Sequence, residues 1–213
     1  MKSELNMALA VVNFPGLSTA YSKPFATNPA LFEQILTRAG PPAVDASPTS
    51  ARTWQRVYVS SFSAGYGAVR QILNTPQYFR RIHGIAAADS IYAGLQQKDP
   101  HREVNESNMK DFLRFASLSV DSKKMFVLSH SAQTTPYAST TETADYLLSA
   151  VNLQRRPDET IQRKRLHQTS DAFRGQLHVL GFAGRSGQDH MPHLHNIDLL
   201  WNHLSPADCR AQA

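Results

Sequence analysis

A serine set among small neighbours is the first residue of this chain whose surroundings suggest chemistry. The segment Val57 to Val69, VYVSSFSAGYGAV, runs from β-branched and aromatic residues into small ones and then into helical spacing, with Ser63 at the change and Ser61 and Gly65 two positions to either side. A serine hydroxyl becomes an effective nucleophile when a neighbouring base takes its proton and an acid orients that base. Asp89 ends the apolar stretch of AAADSIYAGL, Glu142 closes Ser139-Thr140-Thr141-Glu142, and His190 stands in RSGQDHMPHLH beside Asp189, His193 and His195. Each has a plainer reading. Ser63 fills a tight turn, as small polar residues do; Glu142 caps a helix; His190 caps a helix or faces solvent. Asp189, His190, His193 and His195 also have ligand types and a His-x-x-His spacing suited to a metal, but no second ligand cluster accompanies them, and no metal or other cofactor is expected.

The elements that must position these residues alternate. Met7 to Phe14 is a short apolar run stopped by Pro15-Gly16 and reads as a buried strand, as do Arg56 to Ser60, Ile82 to Ala88, 124–128 and Leu177 to Phe182. Helical spacing appears in Phe32, Ile35 and Leu36, in Val69, Ile72 and Leu73, in Met109, Phe112, Leu113 and Ala116, and in Leu194, Ile197, Leu200, Trp201 and Leu204. Ser139 and Glu142 form a capping box ahead of Ala144, Leu147, Leu148 and Val151. Pro41 to Ser50 reads as a surface loop. Strands alternating with helices imply an α/β fold, a mostly parallel sheet with helices on both faces, and sites in such sheets gather at the strand C-terminal ends.

With 41% hydrophobic and 18% charged residues, the 213-residue chain can bury a core as one domain, residues 1–213. Its net charge of +5 is scattered apart from Arg155 to Arg165, RRPDETIQRKR, which reads as a solvated loop or helix face; no nucleic-acid partner is expected. The single cysteine, Cys209, excludes an intrachain disulfide. No stretch approaches the ~20 apolar residues of a membrane span, and the start lacks a signal pattern, so a cytoplasmic chain is the default expectation.

Ser61-x-Ser63-x-Gly65 between a strand and a helix resembles the nucleophile elbow of α/β-hydrolases, with serine in place of the first glycine. The resemblance covers the chain from about Met7 onward. It implies Ser63 as nucleophile, His190 as base, and the N–H of Ala64 as an oxyanion donor. The family's usual acid position falls in LSHSAQTTPYASTTE, which offers Gln133 rather than an aspartate; some members carry the acid one strand earlier, which points to Asp89, with Glu142 as the fallback. Fewer elements precede Ser63 than in a complete member. Either the chain is N-terminally incomplete, leaving a sheet edge open to another chain and a homo-oligomer in view, or Phe14-Pro15-Gly16-Leu17 supplies the second oxyanion donor through Gly16 or Leu17 in a shortened fold. The implied activity is that of a serine esterase acting on a small-molecule ester or related acyl compound, with Gln96 to Phe115 as a lid; the alternative is a non-catalytic α/β-hydrolase-like binding module.

Overall fold

The computed structural model describes residues 8–40, 54–96, 101–163 and 165–204. The surface loop expected over 41–50, Met7, Lys164 of the basic run and Cys209 lie outside them. Helices α1 (Thr19–Thr27) and α2 (Leu31–Ala39) come first, and strand β1 (Val57–Phe62) leads through a 3-10 turn, Ser63–Gly65, into α3 (Tyr66–Leu73). Then follow α4 (Pro76–Arg81), β2 (Ile82–Ala88), α5 (Glu106–Val120), β3 (Met125–Ser131) and α6 (Thr140–Ala150). Strands β4 (Arg156–Pro157), β5 (Gln162–Arg163), β6 (Leu166–Arg174) and β7 (Leu177–Phe182) precede α7 (Gly187–His195) and α8 (Asp198–His203).

The fold is α/β with a mixed sheet. Strands β1, β2, β3 and β7 run parallel in that order, while β6 pairs antiparallel with β7, and β4 and β5 pair antiparallel with β6. The period-2 alternation of the central strands sorts their side chains into two cores. Ile85, Ala87, Phe126, Leu128 and Val179 pack with Val69, Leu73, Phe112, Phe115 and Leu147 on one face. Ala86, Ala88, Val127, Leu180 and Phe182 pack with Leu200 and Leu204 on the other. Helices therefore cover both faces, as the near-continuous apolar runs of β2 and β7 require.

Three expectations are corrected. Ala8–Phe14 forms no strand: Leu9, Val11 and Val12 are exposed, and only Phe14 packs inward, edge-on against Tyr21 and Phe25. A strand exists by pairing, which an apolar run cannot supply by itself. The sheet is mostly parallel, as expected, with an antiparallel margin where β6, polar and charged as LHQTSDAFR, turns back into β7 at Gly175, whose φ is +60°. The basic run, expected as loop or helix face, instead contributes β4 and β5 to that antiparallel margin. The helix within the expected lid, α5, buries Met109, Phe112, Phe115 and Ala116 and packs on β3 and β7, so it belongs to the body of the fold.

Candidate functional site

The parallel strands β1, β2 and β3 end at one edge of the sheet, and the polar residues of the site collect there. Immediately after β1, Ser63 has a φ of 50°, in the left-handed region. For a residue with a Cβ this costs about 1–3 kcal/mol and persists where neighbours over-determine it. One constraint is steric. A Cβ built on Gly65 would lie 3.3 Å from Cβ of Ser61, so strand and turn approach so closely that both positions must be small. The other is a hydrogen-bond clamp: the buried Ser90 hydroxyl donates to the Ser63 carbonyl at 2.8 Å and lies 3.0 Å from the Ser61 hydroxyl. Two further strained residues, Asp89 at φ 39° and Ile91 at φ 80°, follow β2 directly, and a β-branched side chain at positive φ is a genuine outlier.

Asp89 is completely buried and fully engaged. Its Oδ1 accepts the Ser131 N–H at 2.9 Å and the Thr140 hydroxyl at 2.6 Å, while Oδ2 lies 2.7 Å from His190 Nδ1. Burial pushes its carboxyl up, but the hydrogen bonds from His190, Thr140 and Ser131 outweigh it and hold Asp89 at about 2. Asp89 is thus an anion, and His190 Nδ1 carries the hydrogen that points to it.

His190 is delivered by α7. Gly184, at φ +128°, lets the chain pass Asp189 where a Cβ would come within 2.5 Å of the aspartate Cβ. Asp189 then caps the helix, accepting the backbone N–H groups of Arg185 and Ser186 at 3.1 Å each and the Ser186 hydroxyl at 2.7 Å. One residue on, the His190 ring stacks on Phe62 at 4.4 Å between centroids, which sets it beside the residue preceding Ser63. One helical turn further, buried His193 meets Ser129, whose hydroxyl accepts the Asp89 N–H at 3.1 Å and lies 2.8 Å from His193 Nδ1. Burial lowers His193 to about 4 and keeps it neutral at neutral pH. Three of the four residues weighed as a metal cluster, Asp189, His190 and His193, therefore serve separate partners, and among the described residues no group of three or more ligand-type side chains is arranged to hold a metal.

Glu142, the fallback acid, occupies the capping box of α6, accepting the Ser139 N–H at 2.7 Å and ion-pairing with Arg102 at 2.7 Å. The hydrogen bond from Arg102 leads in drawing it down to about 2. Its carboxylate serves the helix end, while the same helix presents Thr140 to Asp89. Leu17 sits in the turn before α1 with its side chain 84% exposed and its carbonyl accepting the Ala20 N–H; α1 in turn packs against the 3-10 turn that contains Ala64. Sequence reasoning overlooked Ser90, Ser129, Thr140 and His193 as supports. Their only sequence signal is that each neighbours a strand end or a candidate residue.

No protein-family model matches the chain, and neither the curated proteins nor the solved structures compared with it include a significant match. Among the described residues no helix is long and apolar enough to cross a membrane.

Proposed function

We propose that this chain is a serine hydrolase of α/β-hydrolase type that cleaves a carboxylic ester or related acyl bond. The observation that carries the reading is the 2.7 Å contact between His190 Nδ1 and the buried Asp89 carboxylate, made across 101 residues of sequence beside the strained Ser63 turn. In the mechanism, His190 Nε2 takes the Ser63 proton as the serine oxygen bonds to the acyl carbon. Asp89 orients the ring and stabilises the imidazolium, and Ala64 N–H donates to the developing oxyanion, with Leu17 N–H as the second donor. Collapse of the tetrahedral intermediate breaks the acyl–oxygen bond to the alcohol, which leaves with the proton held by His190. Water, deprotonated by the same nitrogen, then releases the acid and restores Ser63.

A fluorophosphonate probe tests this directly. The intact chain should be labelled at Ser63, located by peptide mass spectrometry, and Ser63→Ala should abolish the adduct. A well-folded chain that takes no label would instead favour a binding module.

A further inference from the structure

Three tyrosines pack together from the segments that carry the candidate residues. Tyr66 lies one turn beyond Ser63, Tyr92 three residues beyond Asp89, and Tyr137 just ahead of the α6 cap whose Thr140 bonds Asp89. Their rings form a continuous wall, with Tyr66 and Tyr92 centroids 5.5 Å apart and Tyr92 and Tyr137 centroids 5.4 Å apart and edge-to-face. The wall is held rigidly from behind. Ala93 and Ala138 pair through two backbone hydrogen bonds of 3.0 and 3.3 Å, Thr143 donates to the Ile91 carbonyl at 2.7 Å, and Arg102 donates to the Tyr137 carbonyl at 3.0 Å. Arg70 donates to the Tyr92 carbonyl at 2.5 Å and stands 4.9 Å from the Tyr66 ring centre. Tyr66 and Tyr92 are half-buried and Tyr137 is 48% exposed, so ring surface remains open to a ligand. The Tyr92 hydroxyl donates to the Asp89 carbonyl at 3.5 Å, and burial, then Asp89 and the other two tyrosines, push it up.

The two faces of the sheet decide which half of a substrate this wall would meet. Phe62, on which His190 stacks, packs into the core that holds Leu200 and Leu204, whereas Tyr66 packs into the opposite core with Val69 and Phe112. Ser63 lies between them. On the hydrolase reading the leaving alcohol sits where His190 can protonate it, on the Phe62 side, which leaves the acyl group the opposite side of Ser63, where Tyr66 stands.

We propose that the tyrosine wall of Tyr66, Tyr92 and Tyr137 makes this site selective for acyl groups that carry an aromatic ring. This rests on the hydrolase reading, with Ser63 forming the acyl-enzyme. A rigid wall of edges and faces fits a planar ring by offset or edge-to-face stacking and gains less from a flexible alkyl chain.

The test compares 4-nitrophenyl esters of 3-phenylpropanoate and of octanoate, which share a leaving group. The phenyl ester should have the higher kcat/KM by about tenfold, the effect of one good aromatic contact. Tyr137→Ala, at the most exposed ring, should bring the ratio close to one. A second measurement is independent of turnover: 3-phenylpropanoate should bind Ser63→Ala protein more tightly than octanoate in calorimetry, and Tyr137→Ala should remove that difference. Hydrolysis with no preference for the phenyl ester, or a preference that survives Tyr137→Ala, overturns the proposal and leaves the hydrolase reading standing. Selective binding without hydrolysis or probe labelling upholds the aromatic wall and removes the hydrolase reading.

Discussion

At Ser63 the backbone is held in a conformation that a serine adopts only under constraint, and Asp89 is held as an anion in a place where burial alone would protonate it. Both are costs that packing and hydrogen bonds must offset, and such outliers cluster at functional sites. If the chain hydrolyses short esters, Ser63→Ala or His190→Ala alone should lower turnover on the order of 10⁴–10⁶-fold, because the groups of such a triad act as a unit. Asp89→Asn should also lower it strongly: it exchanges an anion taking three hydrogen bonds for an amide that must turn a donor toward one of them. Glu142→Gln should leave turnover nearly unchanged, since its partners are Ser139 and Arg102. Steady-state kinetics on the four variants checks all of this, and the reverse ranking of the two acids would move the acid to Glu142. Ser90→Ala is the sharper probe of the turn. It leaves the Ser63 carbonyl without its buried donor, at a cost of about 1–3 kcal/mol, and should slow turnover while His190 and Asp89 remain intact.

Among the elements, α6 couples stability to the site most directly. Its N-terminal residues satisfy helix-end N–H groups through Ser139 and Glu142, and its first residue, Thr140, donates to Asp89. Ser139→Ala should cost about 1 kcal/mol, the usual worth of a cap, measured by urea unfolding. The β6–β7 turn is constrained by space as well as by backbone angle. A Cβ on Gly175 would lie 2.2 Å from the Val120 carbonyl oxygen, and the residue sits at φ +60°. Gly175→Ala must therefore displace the end of α5 or open the hairpin, and the melting temperature should fall by more than for Gly187→Ala, where a Cβ meets nothing within 4 Å.

For the whole molecule, several buried groups make stability depend on pH with one sign. His193 and His130 have ordinary values of 6.5, and burial lowers them to about 4 and about 3 in the fold. His130 is further disfavoured as a cation by Arg155, whose guanidinium donates to its Nε2 at 3.2 Å. Below pH 6.5 the unfolded chain binds protons that the folded chain refuses. Their stabilising contribution is thus complete above that pH and falls by roughly 1.4 kcal/mol per pH unit per histidine on the way to the folded values. Asp89 and Glu142, held at about 2 against ordinary values of 3.8 and 4.5, act in the same sense at lower pH: their contribution is present above about 4.5 and is lost toward 2. Urea unfolding should show stability declining from pH 6.5 to 4. His193→Gln should flatten the slope between pH 6.5 and about 4 by roughly 1.4 kcal/mol per unit; an unchanged slope would mean that His193 is not excluded from protonation.

What the sequence determined by itself is what residues a few positions apart decide among themselves. Small residues at 61 and 65 announce a tight turn at Ser63, Ser139 and Glu142 announce the start of α6, and the apolar runs of β2 and β7 announce strands buried on both faces. The tertiary structure decided whatever depends on a partner far away in the chain. Ala8–Phe14 lacks a strand to pair with, while polar β6 becomes a strand because β7 lies alongside it. Asp89 rather than Glu142 faces His190 because the parallel register of β1, β2 and β3 brings their ends to one edge and α7 spans from beyond β7 to reach it. The joining of Tyr66, Tyr92 and Tyr137 into one wall has the same origin, since each belongs to a different loop or helix and their common ground is the end of the sheet.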